Sequence, residues 1–183
     1  MNIKRFSDKA VVPRYAKDKD SGFDLVSTED TLIGPGETGK IPTGWGFEIP
    51  DDEEIQVRLR SGITSNTKLR VQFGTVDAGY IGEVGVTVDN IAFPTIIGFN
   101  HTGVQLDCTL YPRDIEGNFI EEEALMGTYV EPTYLIRRGD RVAQGVRAKV
   151  VRDEEGEGFN EVDELRETER GVNGFGSTGV ASK

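Results

Sequence analysis

Residues 74–86 read GTVDAGYIGEVGV, with Asp77-Ala78-Gly79-Tyr80 set between two runs of strand-like residues. Side chains two positions apart fall on one face of a strand, so the spacing predicts two strands joined as a hairpin with a carboxylate near its tip. The backbone N–H and C=O groups of such a hairpin can read the edge of a planar base, although an aspartate is also ordinary turn chemistry. The same period recurs outward from this stretch. Ile55, Val57 and Leu59 share a face, as do Leu69, Val71 and Phe73, then Val84, Val86 and Val88. Val104, Leu106, Cys108 and Leu110 repeat it, and so do Val142, Val146, Ala148 and Val150, with Gln144 interrupting. GPGE (34–37), PDDEE (50–54) and RRGD (137–140) supply the turns. SGITSN (61–66) and EEEALMG (121–127) each have room for a turn or two of helix. Many short strands between regular turns predict an all-β sandwich or barrel.

A chain of 183 residues with 36% hydrophobic content forms one domain with a sizeable core. Its net charge of −11 disfavours direct binding of nucleic acid or an anionic membrane. One cysteine, Cys108, and one histidine, His101, exclude an internal disulfide and a Cys/His zinc cluster, so a bound metal would be held by oxygens, as magnesium or calcium is. The N-terminal stretch MNIKRFSDKAVVPRY has no apolar core of the signal-peptide kind, and no run approaches transmembrane length, so a cytoplasmic location is expected. Residues 152–169 are dominated by acidic side chains and read as a solvated linker. They lead to RGVNGFGSTG (170–179), four glycines around one phenylalanine, an arm free to reach another subunit. The expected organisation is a barrel over 1–151, the linker over 152–169 and the arm over 170–183.

RLRSG (58–62) ends an alternating run with a guanidinium, a hydroxyl and free backbone N–H groups, a set suited to phosphate oxygens; alone it reads more readily as a surface arginine before a turn. In GDRVAQG (139–145), Gln144 occupies a position that the alternation assigns to the core, where a polar group needs a partner, unless the edge is half exposed. SGFDL (21–25) places Asp24 at the start of a strand and carries little information alone.

Taken in order, SGFDL, RSG, GTVDAGYIGE, GDRVAQ and RGVNGFGSTG resemble the five motifs of the trimeric dUTPase family, the deoxyuridine triphosphate nucleotidohydrolases. The resemblance runs from about residue 20 to residue 179. It implies a jelly-roll β-barrel, a homotrimer with sites built from three chains, and hydrolysis of dUTP to dUMP and pyrophosphate. By the resemblance, Asp77 activates the water that attacks the α-phosphorus. Tyr80 packs under the deoxyribose and excludes a 2′-hydroxyl, while Gly74 and Gly85 belong to the substrate-binding hairpin, Gly85 being kept small for uracil. Arg60, Ser61 and Gly62 hold phosphate, and Gln144 contacts the nucleotide near the α-phosphate. Asp24 is associated through water with Mg2+, which rides mainly on the triphosphate. In the arm, Arg170 pairs with the γ-phosphate, Phe175 covers uracil, Gly176 lets the backbone approach, and Ser177 and Thr178 donate to phosphate oxygens.

Asn173 stands where the arm usually has glycine, and Ser21 where alanine is commoner. The stretch between Asp77 and Gly139 is much longer than the family's usual spacing. The extra residues, about 92–130, resemble insertions of phage-borne dUTPases. Such an element either pads and shields the barrel or binds a protein partner, a repressor. The stretch contains His101, expected in a surface or packing contact, and Cys108, expected in a strand core. The related dCTP deaminases share the barrel but place a catalytic glutamate ten positions after the hairpin aspartate; here that position is Thr87, which cannot shuttle the proton.

Overall fold

The structure, a computed structural model, describes residues 1–100, 103–151, 159 and 161–168, with the side chains of 96–105 left aside. The chain divides into two units, Met1–Val151 and Arg152–Lys183. The first unit is all-β apart from two short helical turns. Its strands are β1 (Asn2–Arg5), β2 (Gly22–Val26), β3 (Thr31–Ile33), β4 (Thr38–Pro42), β5 (Trp45–Glu48), β6 (Glu53–Arg58), β7 (Leu69–Val71), β8 (Gly74–Asp77) and β9 (Gly85–Asn90). They continue as β10 (Ile96–Asn100), β11 (Gly103–Leu106), β12 (Cys108–Thr109), β13 (Tyr129–Val130), β14 (Tyr134–Ile136) and β15 (Arg141–Lys149). Helix α1 spans Ser61–Asn66, and a 3-10 turn spans Glu123–Leu125, so both predicted helical turns form. In the second unit, residues 161–168 are exposed.

Two larger sheets, β2-β15-β6-β8 and β4-β9-β7, and two-stranded ladders β1-β5 and β14-β3 enclose one core in a jelly-roll arrangement. The alternating residues fill it. Ile55 and Val57 of β6, Val86 and Val88 of β9, Leu25 of β2 and Ile41 of β4 are all buried. Each such side chain contributes roughly 1.5–3 kcal/mol by leaving water. Leu59 and Phe73, which continue the apolar spacing, fall beyond the ends of β6 and β7 and are exposed.

Three expectations are corrected. Residues 74–86 do not form a hairpin, because β8 pairs with β6 whereas β9 pairs with β4 and β7. The turn after Asp77 therefore carries the chain from one sheet to the other. In β15 the parity changes at a bulge between Arg141 and Ala143, where Val142 and Ala143 are both fully buried. An extra residue in one strand turns every later side chain to the other face. Gly145 thus faces the core and Gln144 does not. Gly145 packs against the Phe23 ring, which leaves no room for a β-carbon. Finally, the run 104–110 is divided between β11 and β12, and Cys108 is exposed rather than in a core. The backbone of Asp107 bonds to Thr95 and Glu131 instead of continuing one ladder, so the alternation ends there.

Among the described residues, the inserted stretch includes the β10-β11 and β12-β13 ladders, the 3-10 turn and a turn over 114–118 organised by Asp114, whose Oδ1 accepts from the N–H groups of Glu116 and Asn118. Buried Asn90 anchors its base, donating from Nδ2 to the carbonyls of Ile33 and Pro132.

Candidate active site

Three of the motifs meet across one sheet. Asp24 of β2 lies opposite Gln144 of β15, and Gln144 lies opposite Arg58 of β6, so residues far apart in sequence form one row on the outer face. Just beyond β6, Arg60 turns back and its guanidinium ion-pairs with Asp24, both side chains largely buried. Arg141 reaches the other Asp24 oxygen at 3.4 Å. One carboxylate therefore orients two guanidinium groups, and in a partly desolvated setting such charge-assisted bonds fix geometry well.

Arg60 is also the extended residue that begins α1, with φ −104° and ψ 127°, and no side chain caps the helix. The first helical bond runs from the Thr64 N–H to the Arg60 carbonyl, and the N–H groups of the first turn have no partner within the helix. A β-carbon on Gly62 would meet nothing within 4 Å. Internal packing does not require glycine there, although it costs the helix roughly 1 kcal/mol relative to alanine. Gly62 leaves the cleft open on that side.

That cleft, about 530 Å3, is lined by Arg60, Ser61, Gly62, Arg137, Arg141 and Gln144. Asp114, Ile115 and Glu116 of the insertion form another part of its wall. The insertion docks there through Gly117, at φ 91°, where a β-carbon would stand 2.7 Å from the Asn66 carbonyl oxygen of α1. At the cleft's edge, Gly139 (φ 95°) makes the RRGD turn, and Asp140 Oδ2 accepts from the Arg137 N–H at 2.8 Å. Burial pushes the Asp140 carboxyl above its usual range, against the lowering effect of that bond and of the Arg137 charge.

Gln144 owes its place to Gly22. A β-carbon on Gly22 would stand 2.9 Å from Gln144 Oε1 and 3.0 Å from its β-carbon. Gly22→Ala is expected to displace the Gln144 amide and raise KM for a nucleotide bound there by about tenfold, the loss of roughly one hydrogen bond to a charged group. Steady-state kinetics beside a melting curve tests this, since displaced binding raises KM even where the fold survives.

The second cluster lies at the other end of β6. Asp77 ends β8 opposite Glu54, and none of the described residues hydrogen-bonds its carboxylate. The Tyr80 N–H closes the turn on the Asp77 carbonyl at 3.0 Å, and Tyr80 Oη donates to the Glu83 carbonyl at 2.8 Å. Asp77, Tyr80 and Gly85, with Lys40, Thr75 and Glu83, line a cavity of about 590 Å3. At Gly85 a β-carbon would make only ordinary contacts, 3.6 Å to Lys40 Cγ, so packing does not require glycine there either. Gly74 opens β8 opposite Val57 and is not crowded either, with Val57 Cβ at 3.7 Å. Thr87, the position decisive for a deaminase, pairs with Lys40 in the β4-β9 ladder.

The two clusters do not meet within a chain. Asp77 lies opposite residue 54 of β6 and Gln144 opposite residue 58, on strands flanking β6 from opposite sides. At about 3.3 Å per residue and about 4.8 Å per strand, their backbones are roughly 16 Å apart. Arg170, Phe175, Gly176, Ser177, Thr178, Asn173 and His101 lie outside the described residues. Among those described, no three His, Cys, Asp or Glu residues group to hold a metal. Asp24 Oδ2 keeps acceptor capacity behind the arginines of the cleft, since its contact with Arg141 is long, and Asp114, Glu116 and Asp140 add carboxylates to the cleft wall. This donor set fits a hydrated cation brought on phosphates and touched through water, not an all-protein cage.

Reading the sequence missed the paired role of Arg141, the cavity-lining Lys40 and Thr75, and the wall formed by Asp114–Glu116. Arg141 was visible inside GDRVAQ, but only the strand register shows it sharing Asp24 with Arg60.

A family model described as dUTPase matches residues 8–97, the stretch holding Asp24, Arg60–Gly62 and Asp77–Gly85. The deoxyuridine 5′-triphosphate nucleotidohydrolase of Gloeothece citriformis is 33% identical, over 100% of this chain and 98% of its own length. That of Clostridium tetani is 34% identical over 98% of this chain and 96% of its own. Among solved structures, the dUTPase of Staphylococcus bacteriophage 80alpha with dUPNHPP superposes with a TM-score of 0.85 at 30% identity, covering 98% of both chains. A mutant dUTPase of phage phi11 of S. aureus, described as revealing the coordination of a structural Mg(II) ion, gives 0.76 at 27% identity, over 91% of this chain and 98% of that one. Identity at this level along the whole length, with the five motifs in order, leaves one conclusion: this chain belongs to the dUTPase family.

Proposed function

We propose that this protein is a dUTP diphosphatase, carrying out magnesium-dependent hydrolysis of dUTP to dUMP and pyrophosphate and so keeping uracil out of DNA. The observation that carries this reading is an unencumbered Asp77 carboxylate in a glycine-floored cavity, with a guanidinium-lined cleft at the other end of β6. Asp77 takes a proton from a water held in line with the α-phosphorus. The water oxygen bonds to phosphorus as the bond to the bridging oxygen breaks, and the electron pair leaves with pyrophosphate. Arg60, held by Asp24, and Gln144 hold phosphate oxygens as charge moves toward the leaving group. Asp24, through water, would hold Mg2+ carried on the triphosphate, and the ion would supply charge neutralisation and a fixed phosphate geometry. Tyr80 and Gly85 shape the nucleoside slot for deoxyribose and uracil.

Because about 16 Å separates Asp77 from Gln144, a single α-phosphate cannot engage both on one chain. We therefore read the site as shared between subunits of a homotrimer. The arm over 170–183 closes the site, with Arg170 on the γ-phosphate and Phe175 over uracil. The reaction takes place in the cytoplasm, on the free nucleotide.

The test is pyrophosphate release from dUTP, dCTP, dTTP and UTP with Mg2+. Turnover of dUTP alone is expected; absence of dUTP turnover despite tight binding overturns the enzymatic reading. A second reading, regulation through a repressor bound at 92–130, is favoured by the exposed apolar side chains Phe93, Leu110 and Met126. The 80alpha structure is described in terms of phage dUTPases controlling transfer of virulence genes.

A further inference from the structure

Gly82 lies in the cavity-forming turn but does not line the cavity, and its φ is not among the positive values of the chain, so alanine fits its backbone. Space is what it lacks. A β-carbon on Gly82 would stand 2.5 Å from Tyr80 Oη, 2.7 Å from Cζ and 3.1 Å from Cε2. The Tyr80 ring occupies the volume that any other residue at position 82 would fill, and its hydroxyl is tied to the Glu83 carbonyl at 2.8 Å. The phenol is thus folded back on its own turn.

The turn itself has little freedom to yield. A β-carbon on Gly46 of β5 would lie 2.8 Å from the Gly82 carbonyl oxygen and 3.3 Å from that of Ile81, so these backbones are in close approach. Glu83 Oε1 accepts from the Gly44 N–H at 2.7 Å, and the Val84 N–H donates to the Trp45 carbonyl at 2.8 Å. The backbone of 81–84 is therefore clamped to the 44–46 segment, and an intrusion at position 82 is relieved by the Tyr80 side chain rather than by the turn.

We propose that Gly82 is a positioning residue for sugar selection: by leaving its side-chain volume to the Tyr80 ring, it sets how far that ring stands into the nucleoside cavity, and so whether a 2′-hydroxyl is rejected. This rests on the dUTPase reading of the cavity. A methyl group at position 82 breaks the Oη bond to Glu83 and pushes the ring toward the cavity or out of it. Either movement changes the floor under the sugar without touching Asp77 or the phosphate cleft.

The test compares wild type, Gly82→Ala, Tyr80→Ala and the double variant for kcat and KM on dUTP and UTP, with a melting curve for each. Gly82→Ala is expected to raise KM for dUTP about tenfold with kcat changed less, and to narrow the dUTP-to-UTP ratio of kcat/KM by a similar factor. In the Tyr80→Ala background, adding Gly82→Ala is expected to leave that ratio unchanged, because the ring through which it acts is gone. An unchanged ratio in Gly82→Ala, or an effect of equal size with and without Tyr80, overturns the proposal. If Gly82→Ala melts below the assay temperature, the comparison is run at lower temperature, with Tyr80→Phe, which removes the Oη bond to Glu83 without altering position 82, as a second variant expected to narrow the ratio likewise. Wild type that does not hydrolyse dUTP instead overturns the dUTPase reading, so the two failures are distinct.

Discussion

Asp77→Asn is expected to lower kcat for dUTP by about 10²–10⁴-fold, the usual contribution of a positioned general base, with KM nearly unchanged. The amide has the same shape but cannot accept the water's proton. The loss is one of chemistry, not of fold, because the side chain is exposed at the end of β8 and makes no hydrogen bond to any described residue. Surface changes of that kind stay within about 0.5 kcal/mol of stability. Single-turnover measurement beside thermal unfolding checks both halves. Retention of wild-type kcat would place the base elsewhere in the cavity; a large drop in melting temperature would mean that Asp77 holds the turn.

The second large effect is recovery of activity between two inactive variants. Arg60→Ala removes the guanidinium held by Asp24 and leaves that carboxylate with only the longer Arg141 contact. Losing one charged donor aimed at the reacting phosphates costs about 10²–10³-fold in kcat, so homotrimers of Arg60→Ala are expected to be severely impaired. Asp77→Asn homotrimers fail for a different reason, at the other end of β6. If each site takes Asp77 from one subunit and Arg60 from a neighbour, co-refolding the two variants in equal amounts regenerates about a quarter of intact sites. Sites confined to single chains would give no recovery at all. The measurement is dUTP turnover before and after mixing, with trimer mass confirmed in both samples. Recovery would convert the strand-register distance into an assembly requirement.

Much of this was open to a reader of the sequence. The period-two runs at 55–57 and 84–88 predict buried strands because alternate side chains in a pleated backbone must face opposite ways, and those residues are buried. Glycines at 62 and 85 are legible in motifs, and the structure adds that no internal contact demands them there. The reading of 74–86 as a hairpin was not correct, for a definite reason: alternation reveals which side chains share a face, not which strand lies alongside. β8 and β9 have the right pattern to pair with each other, yet pair into different sheets. The place of Gln144 was obscured in a similar way, since one bulged residue reverses parity and leaves no compositional mark.

The sequence by itself determined the class of fold, the family and the acidic character of the chain, because these depend on residue type and short-range spacing. Only the tertiary structure decided that Asp24 serves two arginines, that Gly22 makes room for Gln144 and Gly82 for Tyr80, and that Asp114–Glu116 of the insertion wall the arginine-lined cleft. It also placed Asp77 and Gln144 too far apart to act together in one chain. These are facts of non-local contact. They arise where strands distant along the chain are brought into register, and local pattern carries no information about that register.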